Sequence, residues 1–166
     1  MLKDLLRWLE VPINLMLWAS LAAGTLMMLH VSADVTGRTV FNHPLPGTTE
    51  IVAAYYMVVA AFLPWGWIAR NDFHIRADLF LRVGSKGFQF WLEIAVKMLT
   101  AVYVSVFTYQ TCIRALQQTR AGEVWEAGGT FILVWPSRWL LPLAGALMLI
   151  YLVLRVADDV LRTRPR

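Results

Sequence analysis

A chain of 166 residues that is 58% hydrophobic, 16% charged and of mean hydropathy +0.57 carries more apolar side chain than one water-soluble core of this size buries, so the bilayer must be part of its solvent. The net charge of +4 does not point to nucleic acid, because the basic residues lie at the ends of apolar runs, where membrane topology accounts for them. The single cysteine, Cys112, excludes an intramolecular disulfide and any multi-cysteine zinc or iron–sulfur site, and its apolar setting suits a structural thiol.

In chain order, "MLKDLLRWLE" gathers Leu2, Leu5, Leu6 and Leu9 on one helical face with Lys3, Asp4, Arg7 and Glu10 around the rest, which predicts a short amphipathic helix over 1–10 lying in the interface. A cleaved signal peptide is the rival reading, disfavoured by the length of the apolar run behind it and a weak cleavage-site pattern. The first span is predicted over 11–33, which contains no Asp, Glu, Lys or Arg. At roughly 1.5 Å per residue such a stretch crosses a hydrocarbon core of about 30 Å. The second span, about 51–69, is equally clean. The third, about 88–113, carries Glu93 and Lys97 in its first turns, and the fourth, about 136–156, opens on Pro136, a residue suited to the first turn of a helix. The expected fold class is therefore an all-α membrane protein: a four-helix membrane domain over 11–158, the N-terminal interfacial helix, a second interfacial helix between spans 2 and 3, and a basic tail over 159–166. Eight Trp, eight Phe and five Tyr supply aromatic residues for the two lipid–water boundaries.

Lys and Arg beside the spans set the orientation. The N-terminal segment, the 70–87 connector and the C-terminal stretch from Arg155 onward together hold ten, whereas the other two connectors hold four, Arg38, Arg114, Arg120 and Arg138. Both termini are thus expected in the cytoplasm, with the connector "ARNDFHIRADLF" at 69–80 on the same side.

That connector concentrates Arg70, Asp72, His74, Arg76 and Asp78. His74 and Asp78 would share a helical face, so a metal or proton-transfer role is conceivable, but two ligands do not fill a coordination shell and His30 and His43 are far away in sequence. The favoured reading is an interfacial helix whose charged residues meet headgroups, the end of the second helix or another subunit. Glu93 and Lys97, four apart with Glu first, are expected to pair near the interface, with an ion pathway as the less favoured role. Glu50 opens the second span after "NHPLPGTT", where its carboxylate complements the helix N-terminus and Thr48 or Thr49 is expected to cap it, ahead of a partner contact. Asp34 and Arg38 are expected to form an exposed pair of little energetic worth. Gly122, Gly128 and Gly129 are expected to mark a flexible outer loop, not a nucleotide-binding turn. The sequence contains no nucleophile–base pair, P-loop, haem-ligating histidine pair or di-metal carboxylate cluster, so no enzyme activity and no cofactor is expected.

The succession "GRTVFNHPLPGTTEIV" at 37–52, "ARNDFHIRADLF" at 69–80 and "WPSRWLLPLAGALMLI" at 135–150 resembles the small membrane subunit, DctQ type, of tripartite ATP-independent periplasmic (TRAP) transporters. The most specific part of the likeness pairs "PLPGTTE" with Arg70, His74, Ile75 and Asp78 just after the second span. The resemblance implies a bacterial inner-membrane protein that partners a large membrane subunit of DctM type. It implies too that a periplasmic binding protein delivers a carboxylate-containing solute, which the large subunit moves inward with a sodium gradient. It further implies that the small subunit is a static scaffold, with Arg38, Glu50, Arg70, His74, Asp78, Glu93 and Lys97 in structural or partner-contact roles, lipid as the remaining partner and no contact with nucleic acid. Two rivals lack the residues they need. A self-sufficient four-helix transporter requires a mid-depth carboxylate, and a haem- or quinone-linked redox protein requires paired histidines or cysteines.

Overall fold

The computed structural model describes residues 2–71 and 86–163. Four long helices account for most of them: α1 (Leu2–Val40), α2 (spanning Thr48–Arg70), α3 (Lys86–Ala121) and α4 (Leu140–Thr163). A two-stranded antiparallel hairpin, β1 (Val124–Ala127) and β2 (Thr130–Leu133), and a single helical turn, Trp135–Arg138, join α3 to α4. Among the described residues, Leu5–Val40, Thr48–Arg70 and Trp135–Asp158 are long and apolar enough to cross a membrane, so the chain is an all-α membrane protein. The connector expected to hold the second interfacial helix, with His74 and Asp78, lies outside the described residues.

The expected boundary between an interfacial helix and the first span is absent from the backbone, since α1 passes through it and through Pro12 as one helix of 39 residues. At its other end α1 continues past residue 33 because the polar residues there are satisfied on the helix itself. Thr36 and Thr39 donate to the carbonyls one turn back, of Ser32 at 2.8 Å and Val35 at 2.9 Å, and Arg38 bonds Asp34. The helix stops at Asn42, which adopts a φ of +50°, and the His43 N–H folds back onto the Gly37 carbonyl at 2.9 Å.

The second helix is interrupted twice. Val52–Tyr56 winds as a π-helix, and Pro64, which has no N–H to give, separates Met57–Phe62 from Trp65–Arg70. A similar seam precedes α4. Pro142 cannot donate to the Arg138 carbonyl, and Trp139 separates the first helical turn from α4.

The fourth helix is the centre of the bundle, with α3 along one side and α1 and the second half of α2 along the others. All four helices meet in one cluster of Ile13, Ala69, Val104, Met148, Tyr151 and Leu152. Phe107 of α3 stacks on Phe62 (ring centroids 6.0 Å) and tilts against Trp65 (5.2 Å), which ties α3 to α2. The helices α3 and α4 come close at Gly145, where a Cβ would collide with the Thr108 Oγ1. That hydroxyl is buried without a hydrogen-bond partner. Large apolar residues such as Trp18 and Leu29 on α1 and Leu99 and Tyr103 on α3 face outward and are exposed.

The segment expected to be a flexible loop is the hairpin. "VWEAGGTFIL" alternates on both sides of a Gly-Gly pair, and Gly128 and Gly129 have φ of +58° and +91°, the positive values at both central residues that a two-residue turn of this kind needs.

Candidate functional site

The side-chain bonds that join one element to another, described below, lie at the two ends of the bundle. At the hairpin end, Asp34 lies in the last two turns of α1 and is 5% exposed. Its Oδ2 accepts from the Arg38 Nε at 2.8 Å, with the Arg38 terminal nitrogen also at 2.8 Å, and its Oδ1 accepts the backbone N–H of Leu45 at 2.8 Å. The local sequence explains that last bond. Leu45 sits between Pro44 and Pro46, which have no N–H, so it holds the one backbone donor of the Pro-Leu-Pro turn, and a donor held against protein needs an acceptor. The Leu45 carbonyl is held as well, by the Thr48 hydroxyl at 3.2 Å. Thr48 Oγ1 also lies 3.5 Å from the Nε2 of His30, whose ring meets Tyr56 edge-on at 5.9 Å. The expected exposed pair is thus a buried carboxylate that fixes the loop between α1 and α2.

Neither Thr48 nor Thr49 caps α2. Gly47 occupies the N-cap with no side-chain hydrogen bond, and the Thr48 hydroxyl donates back to the Leu45 carbonyl. Glu50 is half-buried in the first turn of α2, where the helix dipole favours a negative charge.

A second ion pair closes the hairpin. Glu123, just before β1, accepts from Arg138 through both carboxylate oxygens, Nε to Oε2 at 3.0 Å and a terminal nitrogen to Oε1 at 2.8 Å, while Trp125 Nε1 reaches Oε1 at 3.3 Å. The Glu123 backbone carbonyl accepts the Val134 N–H at 2.9 Å, so side chain and main chain together lock the base of the hairpin. The hydrogen bonds from Arg138 hold the Glu123 carboxyl below the usual carboxylate range. Burial acts against them, and the Arg138 charge and the Trp125 N–H reinforce them. Trp139 Nε1 donates to Thr119 Oγ1 at 2.9 Å, which links the starts of the α4 segment and the end of α3.

At the opposite end, Arg70 donates from Nη1 to Asn14 Oδ1 at 3.0 Å, which joins the last turn of α2 to α1. Of the other residues singled out in the sequence, Lys97 is half-buried on α3, the Glu93 side chain lies outside the described residues, and so do His74 and Asp78. The structure therefore brings Arg38 to Asp34 and Arg70 to Asn14, and places Glu50 apart from both. Among the described residues there is no group of three or more His, Cys, Asp or Glu that could hold a metal ion. The Asp34 side chain holds the Leu45 N–H and Arg38, and the Glu123 side chain holds Arg138 and Trp125, an arrangement that fixes shape.

Sequence reasoning missed Asn14, which carries no charge to draw attention, and Glu123 with Arg138. The signal for the pair was present: strand-like alternation around Gly-Gly places the two residues just outside the ends of a hairpin, where they must come close.

Comparison with known proteins adds one match. The family model described as "Tripartite ATP-independent periplasmic transporters, DctQ component" matches residues 27–162, a stretch that contains Asp34, the hairpin and the Glu123–Arg138 pair. No curated protein matches the chain.

Proposed function

Because the chain belongs to the DctQ family of tripartite ATP-independent periplasmic transporter components, and so is a small membrane subunit of such a transporter, we propose that it serves as the fixed scaffold of the complex. Its family is a transporter component and not an enzyme family. In this reading the chain partners a large membrane subunit of DctM type, which moves a carboxylate-containing solute with sodium after a periplasmic binding protein delivers it.

The observation that carries the reading is the family match over most of the chain. The polar geometry supports it. A subunit that lends shape needs its polar groups committed internally, as Asp34 is to Leu45 and Glu123 to Arg138. It also needs wide apolar faces for lipid and a neighbouring subunit, as α1 and α3 offer.

Four crossings fit the chain path. Both α2 and the Trp135–Asp158 helix begin beside the hairpin and run away from it, so α3 must bring the chain back between them. Its 36 residues amount to roughly 54 Å at about 1.5 Å each, ample for the purpose. The less apolar α3 is then the crossing best suited to a protein neighbour instead of lipid. Both termini lie in the cytoplasm, following the bias of Lys and Arg, with the hairpin on the periplasmic side of the inner membrane. Arg38, Glu50, Arg70, His74, Asp78, Glu93 and Lys97 serve assembly, not solute passage.

Affinity purification of the tagged chain from its native membrane tests this reading. Recovery of a much larger, multi-span membrane protein in stoichiometric amount is the expected result. Recovery of the chain alone under mild detergent, with transport of organic acids unchanged when its gene is deleted, would overturn it.

A further inference from the structure

The hairpin between α3 and α4 has two faces of unlike character. Directly opposed residues of antiparallel strands share a face, so Val124 and Leu133 lie with Glu126 and Phe131, and Trp125 and Ile132 with Ala127 and Thr130. The second face turns inward: Ala127 is fully buried, and Ala127 and Ile132 pack against Gly47 at the start of α2. The first face is uncovered. Phe131 is 70% exposed, Leu133 51% and Val124 47%.

Three contacts fix the depth of this face. The turn residue Gly128 sits against Pro46, Ala127 and Ile132 sit against Gly47, and the Leu133 carbonyl accepts the Tyr55 hydroxyl at 2.6 Å. The strands therefore descend alongside the first two turns of α2, with the turn uppermost and the Val124–Leu133 pair lowest. The span Thr48–Arg70 has 23 residues, or about 34 Å at roughly 1.5 Å each, little more than the ~30 Å hydrocarbon core. With so little spare length its first turns have to lie at the membrane boundary, and the base of the hairpin lies level with them. Two further facts narrow the depth. The sheet has two strands only, so the outer edge of each leaves backbone groups that hydrocarbon does not tolerate and headgroup water satisfies. The face also changes along its length, from the wholly apolar pair Val124 and Leu133 at the base to Phe131 opposite Glu126 beside the turn, which matches a passage from acyl chains into headgroups.

We propose that the Val124, Phe131 and Leu133 face of the hairpin is a lipid-docking surface, seated at the boundary between headgroups and acyl chains. It holds the α3–α4 junction at a fixed height in the membrane. Glu123 and Arg138 clamp the hairpin base to the first turn leading into α4, so the anchor is coupled rigidly to the central helix of the bundle. The inference rests on α2 crossing the bilayer and not on the transport role, so the two can fail separately.

Site-directed spin labelling tests it. In the full chain carrying Cys112→Ala, labels at Leu133→Cys, Phe131→Cys and Glu126→Cys are compared in nanodiscs of phosphatidylethanolamine and phosphatidylglycerol, with Val124→Cys as a second reporter of the base. Expected is several-fold greater collision with oxygen than with a water-soluble nickel complex at 133 and 124, and a lower oxygen-to-nickel ratio at 131 and 126, the opposed pair beside the turn. Free nickel access at 124 and 133 equal to that at 126 would mean a face open to water and suited to a soluble protein, and would overturn the proposal. Low collision with both reagents would mean that polypeptide, such as a second copy of the chain, covers the face, and would overturn it equally.

Discussion

Asp34 and Leu45 are joined by a 2.8 Å hydrogen bond from a loop N–H to a carboxylate that is 5% exposed, and this bond spans the turn that reverses the chain between the first two helices. The same carboxylate binds Arg38, whose side chain is 53% exposed. The two bonds should therefore differ in weight. Removing Asp34 takes a carboxylate acceptor from the Leu45 N–H, a bond worth about 1–3 kcal/mol, whereas an exposed cation contributes under about 1 kcal/mol.

Asp34→Ala is accordingly expected to destabilise the chain by about 1–3 kcal/mol and Arg38→Ala by clearly less. Asp34→Asn, which keeps an acceptor oxygen for Leu45, should fall between them. Denaturant unfolding in detergent micelles checks the order. An Arg38→Ala effect equal to that of Asp34→Ala would show that the ion pair, and not the loop bond, dominates.

The Glu123–Arg138 pair gives the chain a pH signature. Glu123 has a lowered pKa in the folded state relative to its ordinary value of 4.5. A carboxylate of this kind stabilises the fold fully above its unfolded pKa, and its contribution disappears as pH falls through the lower folded value. Thermal midpoints of wild type and Glu123→Gln should therefore differ by a constant amount from neutral pH to about pH 5, and converge as the pH drops below about 4.5. Midpoints that stay equally far apart at pH 3 would contradict the assignment.

Where α3 and α4 touch, Gly145 admits the Thr108 hydroxyl and nothing larger. Gly145→Ala should cost about 1–3 kcal/mol through overpacking. The double variant Gly145→Ala with Thr108→Ala should recover most of that loss, because Thr108 Oγ1 has no hydrogen bond to forfeit. A double-mutant cycle in unfolding free energy reads the coupling directly, and additive losses would place the strain elsewhere.

Much of this architecture was legible in the sequence, and the parts that were not have a common origin. Runs free of charge announced α1, α2 and α4, since hydrocarbon imposes a simple rule on length and composition. The family resemblance rested on two segments that flank the second run and one that opens the fourth, and the family match bears it out. Tertiary bonds were hidden. Asp34 looked like half of an exposed pair because Arg38 is its neighbour on the helix, while its second partner is a backbone N–H eleven residues away. Thr48 looked like a cap, but its hydroxyl donates to the Leu45 carbonyl. Gly128 and Gly129 looked like slack, although the alternation around them specified a turn with positive φ at both positions.

At the other end of the bundle, Arg70→Ala and Asn14→Ala should cause similar losses, and combining them should add little, because both remove one hydrogen bond between α2 and α1. If Arg70 also serves assembly, its variant alone should reduce the amount of large subunit that co-purifies, with solute affinity of the binding protein unchanged. Intact complexes of Arg70→Ala that have lost transport and altered their sodium dependence would return a direct role in ion coupling.

The central claim is that this chain lends shape to a transporter and moves no solute by itself. Reconstitution measures it most directly: proteoliposomes with the chain alone, and with the chain, the large subunit and the binding protein, are given an inward sodium gradient and labelled organic acids. The account predicts uptake only in the complete mixture, and accumulation by the chain alone would contradict it.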